Sequence, residues 1–367
     1  MSSVESEPSV ASAVNALSDD DTEEELYTAS SRKKLLFIAV LAVALVIFTI
    51  CDFLIGGGSM SASDALSTLF NPSHSRPIGY QIIWDIRLPM TVTAVLVGGA
   101  LAAAGAQMQT ILGNPLAEPY TLGISAAASF GAALAVVTGF SATTIGGTLG
   151  MAGAAWIFGI AACGIIIIIF SRLRGSGAET MILLGIAIVF FFDAMLALMQ
   201  YMASEVQLEQ VVFWTLGSLT RATWPQIGVL AVLLVICLAG FYRKAWVLTA
   251  FRLGDDRAMS MGVNVPRVRI VTLVAVSLLA ATSVAMAGTI GFIGLVGPHI
   301  ARIIVGEDQR YFLTASVLSG SVLLVSASVC AKLIQPGVIL PVGIITAVVG
   351  VPVFVAIIAS SRTQNWS

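Results

Sequence analysis

The chain has 367 residues, a formal net charge of −2, 57% hydrophobic and only 10% charged residues, and a mean hydropathy of +0.96. Soluble globular proteins carry about 25% charged residues, so a water-exposed surface of ordinary composition is excluded. No basic tract supports nucleic-acid binding, and the natural unit of description is the membrane-spanning helix of about 20 apolar residues.

Residues 1–31 form the one long polar stretch and hold eight acids, six of them between Asp19 and Glu25. Such a segment buries too little apolar area to offset its ordering entropy, so the composition predicts a disordered acidic tail followed by a membrane domain over 32–367. A cleaved signal is excluded by the acidic start and by an apolar run of about 21 residues after Lys34. The first span is expected from Leu35 to Ile55, with Asp52 near its outer end reading as an interfacial residue.

Charges then vanish over Leu88–Ala117, Pro119–Ser171, Ala222–Tyr242, Ile270–Ala301, Tyr311–Ala331 and Leu333–Ser361. The Pro119–Ser171 run, 53 residues interrupted by Gly139, Gly146 and Gly147, reads as two spans. Another span is expected over Thr180–Met202. Hydropathy alone yields eight. The Ile270–Ala301 run has room for a span plus a short returning helix, and Pro336, Pro341 and Pro352 break the backbone around the last span. The expected architecture is therefore all-α, with about ten transmembrane helices.

Lysine and arginine favour cytoplasmic loops. With the N-terminus inside and ten crossings, fourteen of the 18 basic residues fall inside; Arg76, Arg87, Arg221 and Lys332 fall outside. Both termini are thus predicted to be cytoplasmic in a multi-pass protein of the plasma (inner) membrane. Small residues spaced by four (Gly98, Ala102, Ala106; Gly123, Ala127, Gly131, Ala135; Gly146, Gly150, Ala154) form stripes that let helix backbones approach closely.

Chemistry-bearing motifs are scarce. Cys51, Cys163, Cys237 and Cys330 lie far apart in apolar segments and read as packing residues. No GxxxxGK[ST] loop is present, and His74 and His299 have no metal-ligand spacing. No metal site, catalytic residue or enzymatic activity is expected in this chain. The stretch Arg243–Arg269 is too short for a domain and too charged for a span. It reads as a short helix, Asp255 to Met261, ended by Gly262. Such a helix suits a cytoplasmic partner, and the same pattern suits a solvated connection. Glycines at 288, 291, 294 and 297 followed by Pro298 deny a long regular helix. Such backbone is tolerated at membrane depth only where protein covers it or water lines it. Asp193 lies 14 positions into its expected span with no basic residue there to pair with. An intramembrane carboxylate is a functional-site candidate, and a hydrogen bond to a neighbouring helix is the plainer reading.

Four segments, "IRLPMTVTAVLVGGALAAAGAQMQTILGNPLAEPYTLGISAAASFGA" (86–132), "LGDDRAMSMGV" (253–263), "AGTIGFIGLVGPHIAR" (287–302) and "LPVGIITAVVGVPVF" (340–354), closely resemble the FecCD-type permeases. These are the membrane subunits of ATP-driven importers of ferric siderophores, haem and cobalamin. The resemblance runs in order over about residues 35–361 and omits the acidic tail. It implies a type II importer. A permease pair (a second copy or a paralogue) forms the pathway in the lipid bilayer, two cytoplasmic ATPase subunits carry ATP and magnesium, and an extracytoplasmic substrate-binding protein docks outside. No cofactor is expected in this chain itself. The family's coupling helix matches Leu253–Val263, placing Leu253, Gly254, Asp255, Asp256, Arg257, Met261 and Gly262 at the ATPase interface. Family positions that contact the binding protein match Arg87 and Lys332. A third, usually basic, is Met90 here, so steering of an acidic lobe is either weaker or supplied by Arg76 or Arg221. The cytoplasmic gate loop maps to Arg172–Thr180, with Gly175, Ser176 and Gly177 giving mobility and Glu179 and Thr180 near the closure point. Gly291, Gly294, Pro298 and Asp193 are expected along the pathway, and His299 as a hydrogen-bonding residue rather than a haem ligand. Ferric siderophore is the expected cargo, before haem and cobalamin. The alternative, a proton-coupled secondary transporter, requires inverted repeats with paired ionisable groups.

Overall fold

A computed structural model describes residues 10–56, 60–71, 77–140, 144–173, 177–334 and 340–364, with side chains described from 31 to 356 apart from 141–149. Among the described residues the regular structure is entirely helical. Seven helices are long and apolar enough to cross a membrane, and three shorter apolar ones (Ile124–Val137, Ile293–Val305, Val342–Ala356) bring the set to the expected ten.

The helix α1 (Val10–Leu54) contains the first span. Its first turns lie in the segment whose composition predicts no structure; extending an existing helix adds a hydrogen bond per residue without a new nucleus. After α2 (Ala62–Phe70), capped by Ser61, the chain re-enters through α3 (Pro77–Tyr80), a π-helical stretch at Gln81–Arg87, and α4 (Leu88–Leu112). Gly113, with φ +58, ends α4. An irregular segment and a 3₁₀ turn at Pro119–Leu122 then lead into α5 (Ile124–Val137).

Of the interruptions expected at Gly139, Gly146 and Gly147, the first is present and the other two lie within helix. The chain turns at Gly139 (φ +72), and α6 (Thr144–Arg172) is broken at Gly150 (φ 53). Glycine alone adopts these angles without steric cost. α7 (Ala178–Met202) is followed by the short α8 (Glu205–Thr215), whose capping box pairs Ser204 with Gln207. Next come α9 (Trp224–Arg243), α10 (Ala245–Ala250), α11 (Asp255–Ser260) and α12 (Val265–Ala287). The predicted break follows: residues 288–292 are non-helical, with Phe292 at φ 69, before α13 (Ile293–Val305). Pro298 lies inside α13 rather than at the break. α14 (Gln309–Ile334) and α15 (Val342–Gln364) complete the chain; Pro341 immediately precedes α15, and Pro336 lies outside the described residues.

The helix α4 is the axis of the bundle, packed by α9, α12, α13 and α14. Backbone proximity explains its small residues. A Cβ on Gly98 would fall 2.5 Å from the carbonyl oxygen of Gly320, and one on Gly105 would fall 1.8 Å from that of Gly294. Gly131 likewise faces the backbone of Ala154. In lipid, where apolar burial between helices gives little driving force, such close packing holds the bundle together.

Candidate functional site: two polar ends and a break between them

One end of the bundle gathers the termini of α4, α9, α12, α13 and α14. Here the chain leaves α9, turns through α10 and a 3₁₀ turn (Phe251–Leu253), and forms α11 between two glycines at positive φ, Gly254 (+88) and Gly262 (+84). The expected short helix is present, one residue shorter than predicted. Ala250, Phe251, Ala258 and Val265 make a small apolar core beneath it.

The attachment of α11 is ionic. Arg269 on α12 is buried, and its Nη2 donates to both carboxyl oxygens of Asp255 at 2.9 and 3.0 Å, while Nε donates to the Ile111 carbonyl at 2.9 Å. Its guanidinium lies 5.8 Å from the Phe251 ring centroid. One side chain thus ties α11, α12 and the end of α4 together. Asp255 points inward; Leu253, Gly254, Asp256, Arg257, Met261 and Gly262 are exposed, with Met259 beside them. A short helix flanked by exposed Leu253 and Met261 in a charged frame is suited to a groove on another protein.

Beside it opens a polar cleft of about 260 Å³ lined by Gln109, Asn114, Arg252, Arg302, Glu307 and Gln309, among others. Glu307 bridges Arg252 (2.8 Å) and Arg302 (3.2 Å), and Arg302 donates to Gln109 Oε1 at 2.9 Å. Behind it, the amide of Gln107 donates to Gln309 Oε1 at 2.9 Å and that of Gln309 to Thr110 at 2.8 Å. Immediately before α14, Asp308 accepts from the Arg310 backbone and guanidinium, and those hydrogen bonds hold its carboxyl below the ordinary carboxylate value.

The loop from α6 to α7 reaches the same end. Glu179 is exposed and Thr180 half-buried in the first turn of α7, after an extended Gly177. Arg174, Gly175 and Ser176 lie outside the described residues.

At the opposite end, Arg87 and Lys332 converge, Arg87 buried and Lys332 engaged within the chain. Lys332 Nζ donates to Asp52 Oδ1 at 2.7 Å and to its carbonyl at 2.6 Å, and Thr91 donates to Asp52 Oδ2 at 2.5 Å. Asp52 is fully buried, which corrects its reading as interfacial: it is the counter-ion joining α1, α4 and α14. The detectable signal was a single acid and a single base at the outer ends of two spans. Arg87 is buried beside the backbone of Gly56, and among the described residues its two terminal nitrogens have no hydrogen-bond partner. Arg221 donates to the carbonyls of Phe213 (2.6 Å) and Trp214 (3.3 Å), capping α8, and Met90 is a core residue. Arg76 and His74 lie outside the described residues.

Between the ends, the break after α12 is held by Thr289, which donates to the Thr215 carbonyl, and by Tyr120, whose hydroxyl accepts from the Ile290 backbone at 3.1 Å. Gly291 is half-buried with open space around it; Gly294 and Pro298 are buried, Gly294 against α4. Gly350 of α15 packs on Phe292. His299 is half-buried, and no cluster of three His, Cys, Asp or Glu side chains that could hold a metal occurs among the described residues. Asp193 is exposed on α7 and makes no hydrogen bond or ion pair among the described residues. The structure therefore gathers the coupling residues at one end and Arg87 with Lys332 at the other, and leaves Asp193 apart from both.

The FecCD transport family model matches residues 43–360. The hemin transport system permease protein of Yersinia pestis is 35% identical over 332 residues, 90% of this chain and 97% of that protein. The vitamin B12 import system permease protein of Vibrio cholerae is 34% identical over 277 residues, 75% of this chain and 82% of that one. Among solved structures, an ABC transporter of the metal-chelate type in an inward-facing conformation superposes with a TM-score of 0.76 at 27% identity, over 88% of this chain and 98% of that chain. With its helical bundle, multi-pass character and these matches, the chain belongs to the FecCD transport family and is the membrane-spanning permease subunit of an ABC importer with the type II fold.

Proposed function

We propose that two such permease subunits enclose a pathway for an iron chelate, with a ferric siderophore as first choice and haem and cobalamin following. A separate ATPase drives transport, holding ATP and magnesium, and a substrate-binding protein delivers cargo from outside. Both termini and the α10–α11 end lie in the cytoplasm. This sidedness is supported by the fourteen basic residues that collect on that side.

The observation that carries the reading is the anchoring of α11. The buried Arg269 links it to α12 and α4, so a push on the exposed face formed by Leu253, Asp256, Arg257 and Met261 is transmitted to the axis of the bundle rather than absorbed by a loop. Closure of the two ATPases would move this segment as a unit and switch the pathway between outward and inward openings. Gly177, Glu179 and Thr180 sit where the cytoplasmic opening would close, and the break at residues 288–292, with Gly291, would give the pathway wall its irregular backbone.

At the outer end, Arg87 has nitrogens unpaired among the described residues that an acidic side chain of the binding protein would satisfy, and Lys332 would join by exchanging its contact with Asp52. The test is cysteine cross-linking in the assembled transporter. Met261→Cys should cross-link to the ATPase, and Arg87→Cys to the binding protein. Cross-linking of Met261→Cys to the binding protein instead would overturn the orientation.

A further inference from the structure

Asp193 is the 16th of the 25 residues of α7, a helix of mean hydropathy 2.6 with no Lys or Arg in it. One side of α7 is packed: Met181, Gly185 and Phe192 are buried, Phe192 against Ala127 and Ala162 in a group that includes Phe130 and Phe158. The rest is bare. Leu183, Phe190 and Tyr201 are 67%, 71% and 89% exposed.

Glu179, Ile186, Asp193 and Gln200 recur by sevens, so they share one flank of α7, shifted only about 20° per step. Three of these four are polar. Other bare helices differ. The exposed side chains of α9 within the membrane include Val229, Val232, Val235 and Ile236, and those of α1 include Val40, Val43, Ile47 and Ile50. Those faces suit hydrocarbon. A carboxylate turned to lipid at mid-span is strongly disfavoured, and among the described residues no cation pairs with Asp193. With Glu179 and Asp193 exposed and Gln200 half-buried, this flank of α7 is a bare surface that lipid does not suit.

Resting on the permease reading above, we propose that Asp193 is a charge filter. Its carboxylate and that of the second permease face the aqueous space between the two subunits, where they favour metal chelates bearing a cationic group over anionic ones of the same size. Two carboxylates facing one pathway raise the local concentration of a cation and lower that of an anion. The filter acts on passage, after the binding protein has released its cargo.

The decisive test needs no cargo. In a transporter whose four native cysteines are replaced, Ala197→Cys lies one turn from Asp193 on an exposed position of α7. It is labelled in liposomes with a cationic and an anionic methanethiosulfonate of similar size, with and without Asp193→Asn. Val232→Cys serves as the lipid-facing control. Ala197→Cys should react and Val232→Cys should not. The cation-to-anion rate ratio should fall about tenfold in the Asp193→Asn background, the size expected for loss of one nearby charge contact. Failure of Ala197→Cys to react, or an unchanged ratio, overturns the filter. A second arm compares uptake of a ferric trihydroxamate carrying a terminal ammonium with its succinylated, carboxylate-bearing analogue. The ammonium form should be preferred, and Asp193→Asn should remove the preference; equal uptake by the unaltered transporter overturns the cargo class. If neither complex is carried while the labelling behaves as stated, the siderophore reading falls and the filter stands.

Discussion

Arg269 offers the sharpest perturbation of the coupling path. Its Nη2 spans both oxygens of Asp255, its Nε holds the Ile111 carbonyl, and the side chain is almost wholly buried while Asp255 is 39% exposed. Hydrogen bonds to charged groups contribute about 1.5–3 kcal/mol, and the partial exposure of Asp255 argues for the lower end. Asp255→Asn keeps the shape of α11 but removes the charge, so anchoring should weaken by about 1.5 kcal/mol. That is about a tenfold rise in the fraction of molecules with α11 detached from α12. In liposomes containing the partner ATPase, ATP hydrolysis should persist while cargo moved per ATP falls several-fold. Arg269→Met should be worse, because it also leaves the Ile111 carbonyl without its donor. A double-mutant cycle of Asp255→Asn and Arg269→Met should return a coupling energy of about 1–2 kcal/mol. A coupling energy near zero, with an unchanged transport-to-hydrolysis ratio, would refute the lever.

Three further outcomes follow from packing and charge. Gly105→Ala should lower stability in detergent by about 1–3 kcal/mol, because its Cβ would meet the Gly294 carbonyl at 1.8 Å; Gly228→Ala, with nothing within 4 Å, should not, and equal thermal midpoints for the two would contradict the packing. Asp52→Asn or Lys332→Met alone should each cost about 3–5 kcal/mol by stranding a buried charge; the double variant should recover part of the loss, and a double variant no more stable than either single one would argue against the pair. Asp308, held below its ordinary value of 3.8 by hydrogen bonds from Arg310, contributes stability that is complete above that value and lost as pH falls through its lowered folded value. Unfolding profiles between pH 6 and 3 should therefore show a shallower acid limb in Asp308→Asn than in the unaltered protein; identical limbs would contradict this.

The ten-helix plan was readable because apolar runs of span length are set by membrane thickness, and Arg243–Arg269 stood out by its polarity within an apolar chain. The short helix at Asp255 was visible from its flanking Gly254 and Gly262. Long-range pairing was not legible. Nothing local tells that Lys332 reaches back 280 positions to Asp52, or that Arg269 closes on Ile111 and Asp255 together. Glycine counting showed where the backbone could bend but not where it does. Gly139 and Gly150 carry the positive φ angles while Gly146 and Gly147 remain in helix, and in the break after α12 the positive φ angles fall on Gly288 and Phe292 rather than on Gly291. Tertiary contact decides among permissive positions. In the same way, a stripe of small residues on α4 announced close packing, while its partners, Gly294 and Gly320, emerged only from the assembled bundle.

The central claim is that this subunit moves cargo only when an ATP-hydrolysing partner works its α10–α11 end. The direct measurement is uptake of radiolabelled ferric chelate into liposomes containing the full transporter and its binding protein, with ATP and magnesium on the ATPase side. Accumulation should require hydrolysis and stop when the ATPase's phosphate-binding lysine is replaced. Uphill accumulation by the permease without the ATPase, driven by a proton gradient alone, would contradict the account.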